Sequence, residues 1–415
     1  MENFYNRKHW SQEARRAFAL FAAITWPFGL WPLIPVNFFL TFRVLLGIGL
    51  VFGTVAIPFR EMCVRCGTAE DMIDDLIVVA TGSLALSKLI CYHVYRDRLR
   101  PSVTSAIEDW SSDESKEFKN IMTDQERTYK SVAFALISTA AASTFLYSVK
   151  IFFTEPDRWI EAKDTDVDVT IFNNTDGNGT LMVLRKRFLF PSTCTLNDVP
   201  PFVYPSVIFV QYMQVLATCT VNTGSDAFFI AVTSHLCGQL EILKTKFSTI
   251  GEEIDCTESR KKLNSLIERH IHLLELAAGL EDAYNMIVFT QLLVSVTLIT
   301  VFGFSFLMTL EENNYVGAIK NIVVIQFMLL QTFMYSYVGE NLQCQGDDII
   351  TSVYGSSWYE LPNHLSKNVI FVMMRSNVPL QLTAGKFFSM TRATFMDVIK
   401  TSASYLSVLR IMIQE

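Results

Sequence analysis

The amino-acid sequence predicts an all-α, polytopic membrane protein with seven transmembrane helices, and three observations predict it. Half of the 415 residues are apolar and only 18% are charged, whereas a soluble domain carries roughly a quarter charged residues. The apolar residues gather in runs of about 20, the length that a helix needs to cross the hydrocarbon core. Basic residues concentrate in alternate loops. The composition excludes a disordered chain, and the net charge of −7 offers no basic surface for nucleic acid.

The predicted spans follow one another along the whole chain. They are residues 38–59, 72–94, 132–153, 204–221, 286–310, 318–338 and 380–412. Before the first span, residues 17–35 are apolar but broken by prolines, and Trp26 and Trp31 predict an interfacial lead-in at the level of the lipid headgroups.

These spans divide the chain into four parts. A cytosolic or interfacial segment (1–37) precedes six transmembrane helices (38–338), which carry an outer loop at 154–203 and a cytosolic loop at 238–285. Apolar residues at helical spacing predict that this cytosolic loop is a helical extension of the spans beside it. A cytosolic anchor segment (339–379) and a seventh helix (380–415) follow.

The loop charges predict the orientation of the chain in the membrane. Lys and Arg are richest in the loops on the side of the N-terminus, which places that terminus in the cytosol and the C-terminus outside. The outer loop carries two glycosylation sequons, at Asn173 and Asn178, and glycans are added only on the lumenal side. This orientation is opposite to that of a G-protein-coupled receptor, and the last span has no Asn-Pro-x-x-Tyr motif.

No motif for catalysis or metal binding is present. The sequence has no H-E-x-x-H, Walker or G-x-G-x-x-G pattern. Cys63 and Cys66 have zinc-like spacing but no second pair beside them, and one pair cannot complete a tetrahedral site. His270 and His272 are two residues apart, so they point to different faces of a helix. We therefore expect neither an enzyme nor a bound metal or cofactor.

Charged residues inside the spans are costly and call for partners or access to water. Lys88, near an inner helix end, is expected to extend its amine to the interface. Asp74 and Asp75, near the outer end of the second span, are expected to reach water. Asp397 and Lys400 are three residues apart and are expected to pair on their own helix.

The last hundred residues carry the most specific motifs. They are residues 335–342 (YSYVGENL), Tyr354, Trp358 and Tyr359, residues 379–388 (PLQLTAGKFF) and residues 400–405 (KTSASY). Their order resembles the C-terminal signature of insect odorant receptors, and residues 29–32 (GLWP) are similar to that family's N-terminal segment. The loop at 238–285 is too short for the shared co-receptor, so the chain resembles a ligand-tuned member.

The resemblance implies an odorant-gated, non-selective cation channel that needs no G protein. Tuned subunits of the family form heterotetramers with the co-receptor, and we expect plasma-membrane localisation in the dendrite of an olfactory sensory neuron. The implied partners are the co-receptor, a small volatile organic ligand, membrane lipid and permeant cations. It also implies a cytosolic anchor where subunits meet, which in this chain contains Tyr354, Trp358 and Tyr359.

The family binds odorants in an apolar cavity in the outer half of the second, third, fourth and sixth spans. A volatile ligand offers few polar groups, so apolar and aromatic walls supply most of the binding energy. The residues of this chain that match that region are Ile77, Val78, Thr81, Ser143, Thr144, Tyr147, Ile151, Ile208, Gln211, Tyr212, Asn321, Ile322 and Ile325.

The last helix of each subunit lines the pore in this family. At about 100° per residue, one face of this helix, centred on Tyr405, is rich in hydroxyl groups and becomes apolar near the outer end. That face contains Thr391, Thr394, Val398, Thr401, Ser402, Tyr405, Val408, Leu409 and Met412. Such a face suits a hydrated pore with an apolar gate, although packed membrane helices also use Ser and Thr at their contacts. Resemblance places the gate at Val408 with a second constriction at Met412, and Asp397 beside the face would favour cations.

Two other functions are compatible with seven spans. A gustatory-type chemoreceptor channel shares the architecture but has a shorter, Thr-Tyr-based C-terminal motif. A secondary transporter, a protein of another class, predicts inverted repeats and helices interrupted at mid-membrane. We find no matching pair of broken segments in the sequence.

Overall fold

The structure is a computed structural model, and its described residues include nearly all of the predicted spans. They are residues 10–64, 69–112, 115–153, 159–161, 174–175, 181–184, 188–190, 192–196, 199–200, 202–251 and 255–414.

Helices dominate this part of the chain and confirm the all-α prediction. They are α1 Gln12–Thr25, α2 Phe38–Val64, α3 Ala69–Val94, α4 Arg96–Ser111, α5 Lys116–Phe153, α6 Thr193–Leu196, α7 Tyr204–Ser248, α8 Cys256–Glu311, α9 Tyr315–Tyr354, α10 Asn363–Ser376 and α11 Arg392–Gln414. A 3-10 turn covers Trp358–Glu360. Short strands β1 Trp159–Glu161, β2 Asn174–Thr175 and β3 Leu181–Leu184 pair antiparallel in the order β1-β3-β2. Strands β4 Thr383–Ala384 and β5 Phe388–Ser389 form a hairpin.

The seven predicted spans correspond to α2, α3, α5, α7, α8, α9 and α11. Within the described residues, α2, α3, α7, α8 and α9 are long and apolar enough to cross a membrane by length and composition alone. Helix α11 is more polar, but its 23 residues would extend about 35 Å at 1.5 Å per residue, more than the roughly 30 Å of a hydrocarbon core.

Helix α1 is part of the core, and the placement of residues 17–35 at the level of the lipid headgroups stays a prediction. Its apolar residues recur every three or four positions, so one face is continuous and packs on α7 and α4. Phe18 and Phe21 on that face are completely buried. Trp31 is also buried and meets Phe228 of α7 edge-on at 5.8 Å, while Trp26 stays half-exposed.

The predicted helical loop at 238–285 consists of the ends of two long helices. Helix α7 has 45 residues and α8 has 56, and both continue well past the predicted spans. Gly251 turns the chain between them with a φ of 90°. A Cβ at that position would lie 2.3 Å from the Ser357 carbonyl oxygen, so the close approach of the anchor segment requires glycine.

A charged cluster ties α4 to these two extensions. The Asp109 carboxylate contacts His235 Nε2 at 3.1 Å and accepts a hydrogen bond from Arg269 Nη2 at 2.7 Å. Burial pushes the pKa of the Asp109 carboxyl up, but the contacts with His235 and Arg269 outweigh burial, so this pKa lies below its usual value. The carboxylate therefore stays charged and holds three helices together.

The seventh predicted span does not start at residue 380, because a hairpin occupies the residues before α11. Gly385 and Lys386 have φ values of 60° and 64°, the pattern of the type I′ turn that suits a two-residue hairpin loop. The hairpin is fixed to α8. Thr383 donates its backbone N–H to Glu281 Oε2 at 2.8 Å, and Gly385 donates its N–H to the Asn285 carbonyl at 2.8 Å.

The variant Glu281→Ala tests this attachment. Loss of the carboxylate leaves the part-buried Thr383 N–H without its acceptor, which we expect to cost about 1–3 kcal/mol of stability. Thermal unfolding of the detergent-solubilised protein, followed by size-exclusion chromatography of a fluorescent fusion, measures the loss. Glu275→Ala, an exposed position on the same helix, is the matched control, and equal melting of the two variants would contradict the attachment.

Candidate functional site

A cavity of about 180 Å³ lies among α2, α3, α5, α7 and α9. Its wall is mainly apolar, it includes no charged side chain among the described residues, and several hydroxyl groups and one amide interrupt it. The lining residues are Thr54, Ile77, Val78, Thr81, Ala140, Ser143, Thr144, Val215, Thr218, Cys219, Asn222, Thr223, Val324, Phe327 and Met328.

Five of the predicted ligand residues line this cavity: Ile77, Val78, Thr81, Ser143 and Thr144. They come from α3 and α5. The structure therefore brings the predicted faces of the second and third spans together around one space, and the binding role of these residues remains a prediction.

The polar residues predicted on the fourth and sixth spans have other partners. Gln211 is buried, accepts the Leu189 N–H and donates to Ser192 Oγ. The Tyr212 hydroxyl donates to the Ser148 carbonyl at 3.2 Å, and Asn321 donates to Ser305 Oγ at 3.0 Å. These three side chains do not line the cavity.

The remaining predicted ligand residues are also outside the cavity or outside the described side chains. Ile208 is half-buried and Ile322 is exposed. Ile325 does not line the cavity and packs against the apolar cluster of Leu298, Phe302 and Met328, which borders it. Tyr147 and Ile151 lie on α5, but their side chains are not among those described.

The sequence prediction missed the cavity residues of α7 and α9 because it misjudged how far along each helix the cavity lies. The fourth span was predicted to end at residue 221, which centres its outer half on residues 208–212. Since α7 continues to Ser248, the cavity lies one to three turns further along, at 215–223. A similar shift of about one turn moves the α9 contacts from 321–325 to 324–328.

A buried ion pair lies one helical turn from the cavity. Lys88 of α3 is completely buried, and its Nζ is 2.5 Å from Asp226 Oδ1 of α7. The prediction that Lys88 reaches the interface is therefore wrong. The carboxylate also accepts hydrogen bonds from the Tyr335 hydroxyl and from Gln331 Nε2, both on α9. Three helices thus meet at one carboxylate.

Further polar contacts extend this network to α8. Gln291 donates to Gln331 Oε1 at 2.8 Å and to Ser295 Oγ at 3.2 Å. The hydroxyls of Tyr92 and Tyr284 also hydrogen-bond to each other, which joins α3 to α8 directly. Together, these contacts connect four helices in a region where water does not replace a lost hydrogen bond.

Residues of the polar network lie on the same helix faces as residues of the cavity wall. Asn222 and Asp226 are four residues apart on α7, and Phe327 and Gln331 are four apart on α9, so each pair lies on one helix face. Beyond the network, α8 packs on α11, where Leu406 lies against Gly303. A continuous set of contacts therefore connects the cavity to α11.

The two aspartates at the start of α3 are buried, which contradicts the expectation that they reach water. Asp74 pairs with Lys320 Nζ at 2.6 Å. Asp75 is fully buried, and neither of its carboxylate oxygens has a hydrogen-bond partner within the described part of the chain. Nearby, Glu61 of α2 accepts the Thr195 N–H at 2.6 Å, so α6 covers this end of the bundle.

Helix α11 has a packed face and an exposed face. Val398 and Ser402, both on the predicted pore face, are buried against the rest of the chain. Tyr405 and Val408 are 55% and 56% exposed, and Thr401 is exposed as well. The structure therefore divides the predicted face into a packing stripe and a narrower exposed stripe.

Other predicted pore residues have defined surroundings near the start of α11. Thr394 donates its hydroxyl to the Ser389 carbonyl at 2.6 Å, which joins the hairpin to the helix. Asp397 and Lys400 form the expected pair at 3.8 Å, and both are largely exposed. The side chain of Met412 lies outside the described residues.

The predicted anchor residues surround the 3-10 turn after α9. Tyr354 and Tyr359 are about 70% exposed (71% and 69%), whereas Trp358 is half-buried on the core. The predicted sequons at Asn173 and Asn178 lie outside the described residues. In the described part of the chain, no group of three His, Cys, Asp or Glu side chains is placed to hold a metal ion.

Comparison with known proteins decides the family. The family described as 7tm Odorant receptor matches residues 68–403. The chain belongs to the odorant receptor family. This confirms the resemblance to insect odorant receptors, a family of multi-pass membrane proteins rather than enzymes.

Odorant receptors from two insects are among its similar proteins. Odorant receptor 47a of Drosophila melanogaster is 26% identical over 192 residues, 45% of this chain and 48% of that receptor. Odorant receptor 10 of Aedes albopictus is 22% identical over 211 residues, 50% of this chain and 55% of that receptor. The chain thus spans about half the length of the curated relatives it matches.

Solved odorant-receptor structures share the fold. The insect olfactory receptor OR5 from Machilis hrabei has a TM-score of 0.74 at 12% identity, covering 95% of this chain and 97% of that chain. The same receptor in complex with eugenol has a TM-score of 0.69 at 12% identity and covers 99% of this chain and all (100%) of that one. The likeness at this identity shows a common architecture.

Single and double substitutions test the buried ion pair. Asp226→Leu leaves the Lys88 amine without its carboxylate inside the bundle, and we expect a loss of about 3–5 kcal/mol. Lys88→Met should cost less, because Gln331 and Tyr335 still donate to Asp226. The double variant should recover part of the loss, since it removes both charges.

Melting of each purified variant measures these effects. The control is Lys400→Met, which removes a lysine from an exposed pair and should change stability by less than about 1 kcal/mol. If the double variant were no more stable than Asp226→Leu, the ion pair would not be the source of the loss.

Proposed function

We propose that this odorant receptor is a ligand-binding, tuning subunit of an odorant-gated, non-selective cation channel. The observation that carries the proposal is the small cavity among α2, α3, α5, α7 and α9, whose described wall is uncharged and mostly apolar. Such a wall suits a small volatile molecule, which binds chiefly by burying apolar surface. The candidate contacts are the predicted residues at the cavity, together with Asn222, Thr223 and Met328.

The channel would be a heterotetramer with the co-receptor in the plasma membrane, in the dendrite of an olfactory sensory neuron. One surface supports assembly. Tyr354 and Tyr359 leave aromatic rings exposed beside the half-buried Trp358, and exposed aromatic side chains are enriched at subunit contacts. The proposed orientation, with the N-terminus in the cytosol and glycans on the outer loop, rests on the loop charges and sequons.

The exposed stripe of α11 would line the pore. Thr401 and Tyr405 supply hydroxyl groups along this stripe, and Val408 would form an apolar ring near the outer end, with Met412 one turn further. An apolar constriction excludes water and ions when it is narrow. Asp397, also exposed, would favour cations at the inner part of the pore.

The first test is a recording of odorant-evoked current. In voltage-clamped cells that express this chain with the co-receptor, we expect a panel of volatile organic molecules to evoke a cation current while G-protein signalling is blocked. Cells that express the co-receptor alone give the reference response. Currents that disappear with the G-protein block would contradict a ligand-gated channel.

Matched serine variants connect that current to the cavity. Ser143 lines the cavity, whereas Ser138 is exposed on the same helix, and both hydroxyls donate to carbonyls of α5. Ser143→Leu fills part of the space and should weaken activation at least tenfold. Ser138→Leu should leave activation unchanged at equal surface expression. Equal responses of the two variants would place the ligand elsewhere.

The gate is tested by Val408→Ser. A hydroxyl in place of the isopropyl group lowers the cost of wetting the constriction, so we expect a higher basal current without odorant. Only the tuned subunits carry the change, and the leak should therefore be partial. Val408→Ile keeps an apolar ring and is the control. Unchanged basal current and ion selectivity in Val408→Ser, at normal surface expression, would exclude this position from the gate.

A further inference from the structure

The cavity wall contains one buried polar atom that lacks a partner. Asn222 of α7 donates its amide nitrogen Nδ2 to the Thr81 carbonyl of α3 at 3.0 Å. Its amide oxygen Oδ1 is buried and has no hydrogen-bond partner among the described residues. Asn222 lines the cavity, and this oxygen is itself covered, so a rotation of the side chain would present the unsatisfied acceptor to a ligand.

The contact with Thr81 determines which end of the amide is free. A backbone carbonyl only accepts hydrogen bonds, so the NH₂ group of Asn222 must face it. Rotating the amide by half a turn would place two acceptor oxygens together. The end of the amide without a partner is therefore the oxygen.

Three neighbouring hydroxyl groups donate their hydrogens to backbone carbonyls. Thr54 donates to the Leu50 carbonyl, Thr81 to the Ile77 carbonyl and Ser143 to the Ala140 carbonyl, all within their own helices. Each such oxygen offers lone pairs to a ligand. The oxygens of these three hydroxyl groups consequently offer hydrogen-bond acceptors in the part of the wall that contains Asn222.

The volume of the cavity restricts the size of the ligand. A dry protein cavity of about 150 Å³ binds benzene, and the present cavity is about 180 Å³. One aromatic ring with a short substituent, or an open chain of similar size, therefore fits without rearrangement of the helices.

We propose that the ligand class of this cavity is a small, neutral alcohol or phenol, whose hydroxyl group donates its hydrogen to Oδ1 of Asn222. The proposal rests on the channel function proposed above and adds the chemical class. A donor satisfies the buried acceptor, whereas an analogue without a donor leaves it unpaired, and unpaired buried groups discriminate strongly between otherwise similar ligands.

Two sets of size-matched molecules test the class. The ring set is benzyl alcohol, benzaldehyde and ethylbenzene, and the chain set is 1-hexanol, hexanal and heptane. Within each set the molecules have equal numbers of heavy atoms, and only the alcohol can donate a hydrogen bond. In cells that also express the co-receptor, the half-maximal concentration of one alcohol or both should be at least tenfold lower than that of its aldehyde and hydrocarbon partners.

Variants assign this preference to Asn222. Asn222→Leu removes the acceptor and should reduce the preference for the alcohol to less than threefold, while hydrocarbon responses persist or improve. Asn321→Leu is the matched control, because Asn321 is buried outside the cavity, and the preference should survive there. Surface labelling is measured for each variant. If Asn222→Leu does not reach the surface, the comparison within each set in the unmodified receptor decides the proposal.

The outcomes separate the two proposals. Currents without a preference for the alcohols in the unmodified receptor would overturn the ligand class and leave the channel function intact. A preference that persists in Asn222→Leu would overturn the role of Asn222. No current with any molecule of either set would overturn the ligand class, and a lack of current with the wider volatile panel would overturn the channel function as well.

Discussion

The ion pair between Lys88 and Asp226 is the interaction on which the packing of this bundle depends. A charge inside a membrane protein is tolerated only when its partner and its hydrogen bonds are all in place. Asp226 meets this condition with donors from two other helices, Lys88 on α3 and Tyr335 and Gln331 on α9. The relative rotation of three helices is thereby specified, which apolar packing alone would leave less well defined. The cavity is a consequence of that rotation, since its wall begins one turn away on α7 and α9.

The buried polar network also connects the helices that form the cavity with the helices that pack on α11. The cavity and α11 have no polar contact with each other among the described residues, but both adjoin the same helices. Gln291 carries the network onto α8, and Gly303 of α8 lets Leu406 of α11 approach closely. A change in the separation of α7 and α9 at the cavity would have to be accommodated at α8. Coupling of this kind relies on packed helices with complete hydrogen bonding, since loosely packed ones would absorb the displacement.

Sequence patterns predicted the fold well because hydrophobic length is a strong constraint on membrane helices. All seven spans correspond to helices of the structure, and family motifs identified the C-terminal region. Contacts between residues that are far apart in the sequence could not be predicted from local patterns. No local pattern shows that Lys88 meets Asp226, 138 residues away, or that α1 enters the core. The span ends were misjudged where the helices continue beyond the apolar runs, and this error shifted the candidate ligand residues of α7 and α9. Hairpin residues 383–389 are apolar, so the sequence predicted them as part of the seventh span. Their turn instead requires the positive φ of Gly385.

The contact between Glu340 and Arg392 fixes the beginning of α11. Glu340 of α9 accepts both the backbone N–H of Arg392 at 2.6 Å and its guanidinium, with Nη2 at 2.7 Å. The first residue of α11 is therefore fastened to α9 at two points, and it acts as a pivot. Val408 lies 16 residues along the helix from Arg392, so at 1.5 Å per residue the lever arm is about 24 Å, and a tilt of only ~5° displaces its far end by about 2 Å. Small rotations at Arg392 are thus amplified at the Val408 end of α11, where the gate is proposed.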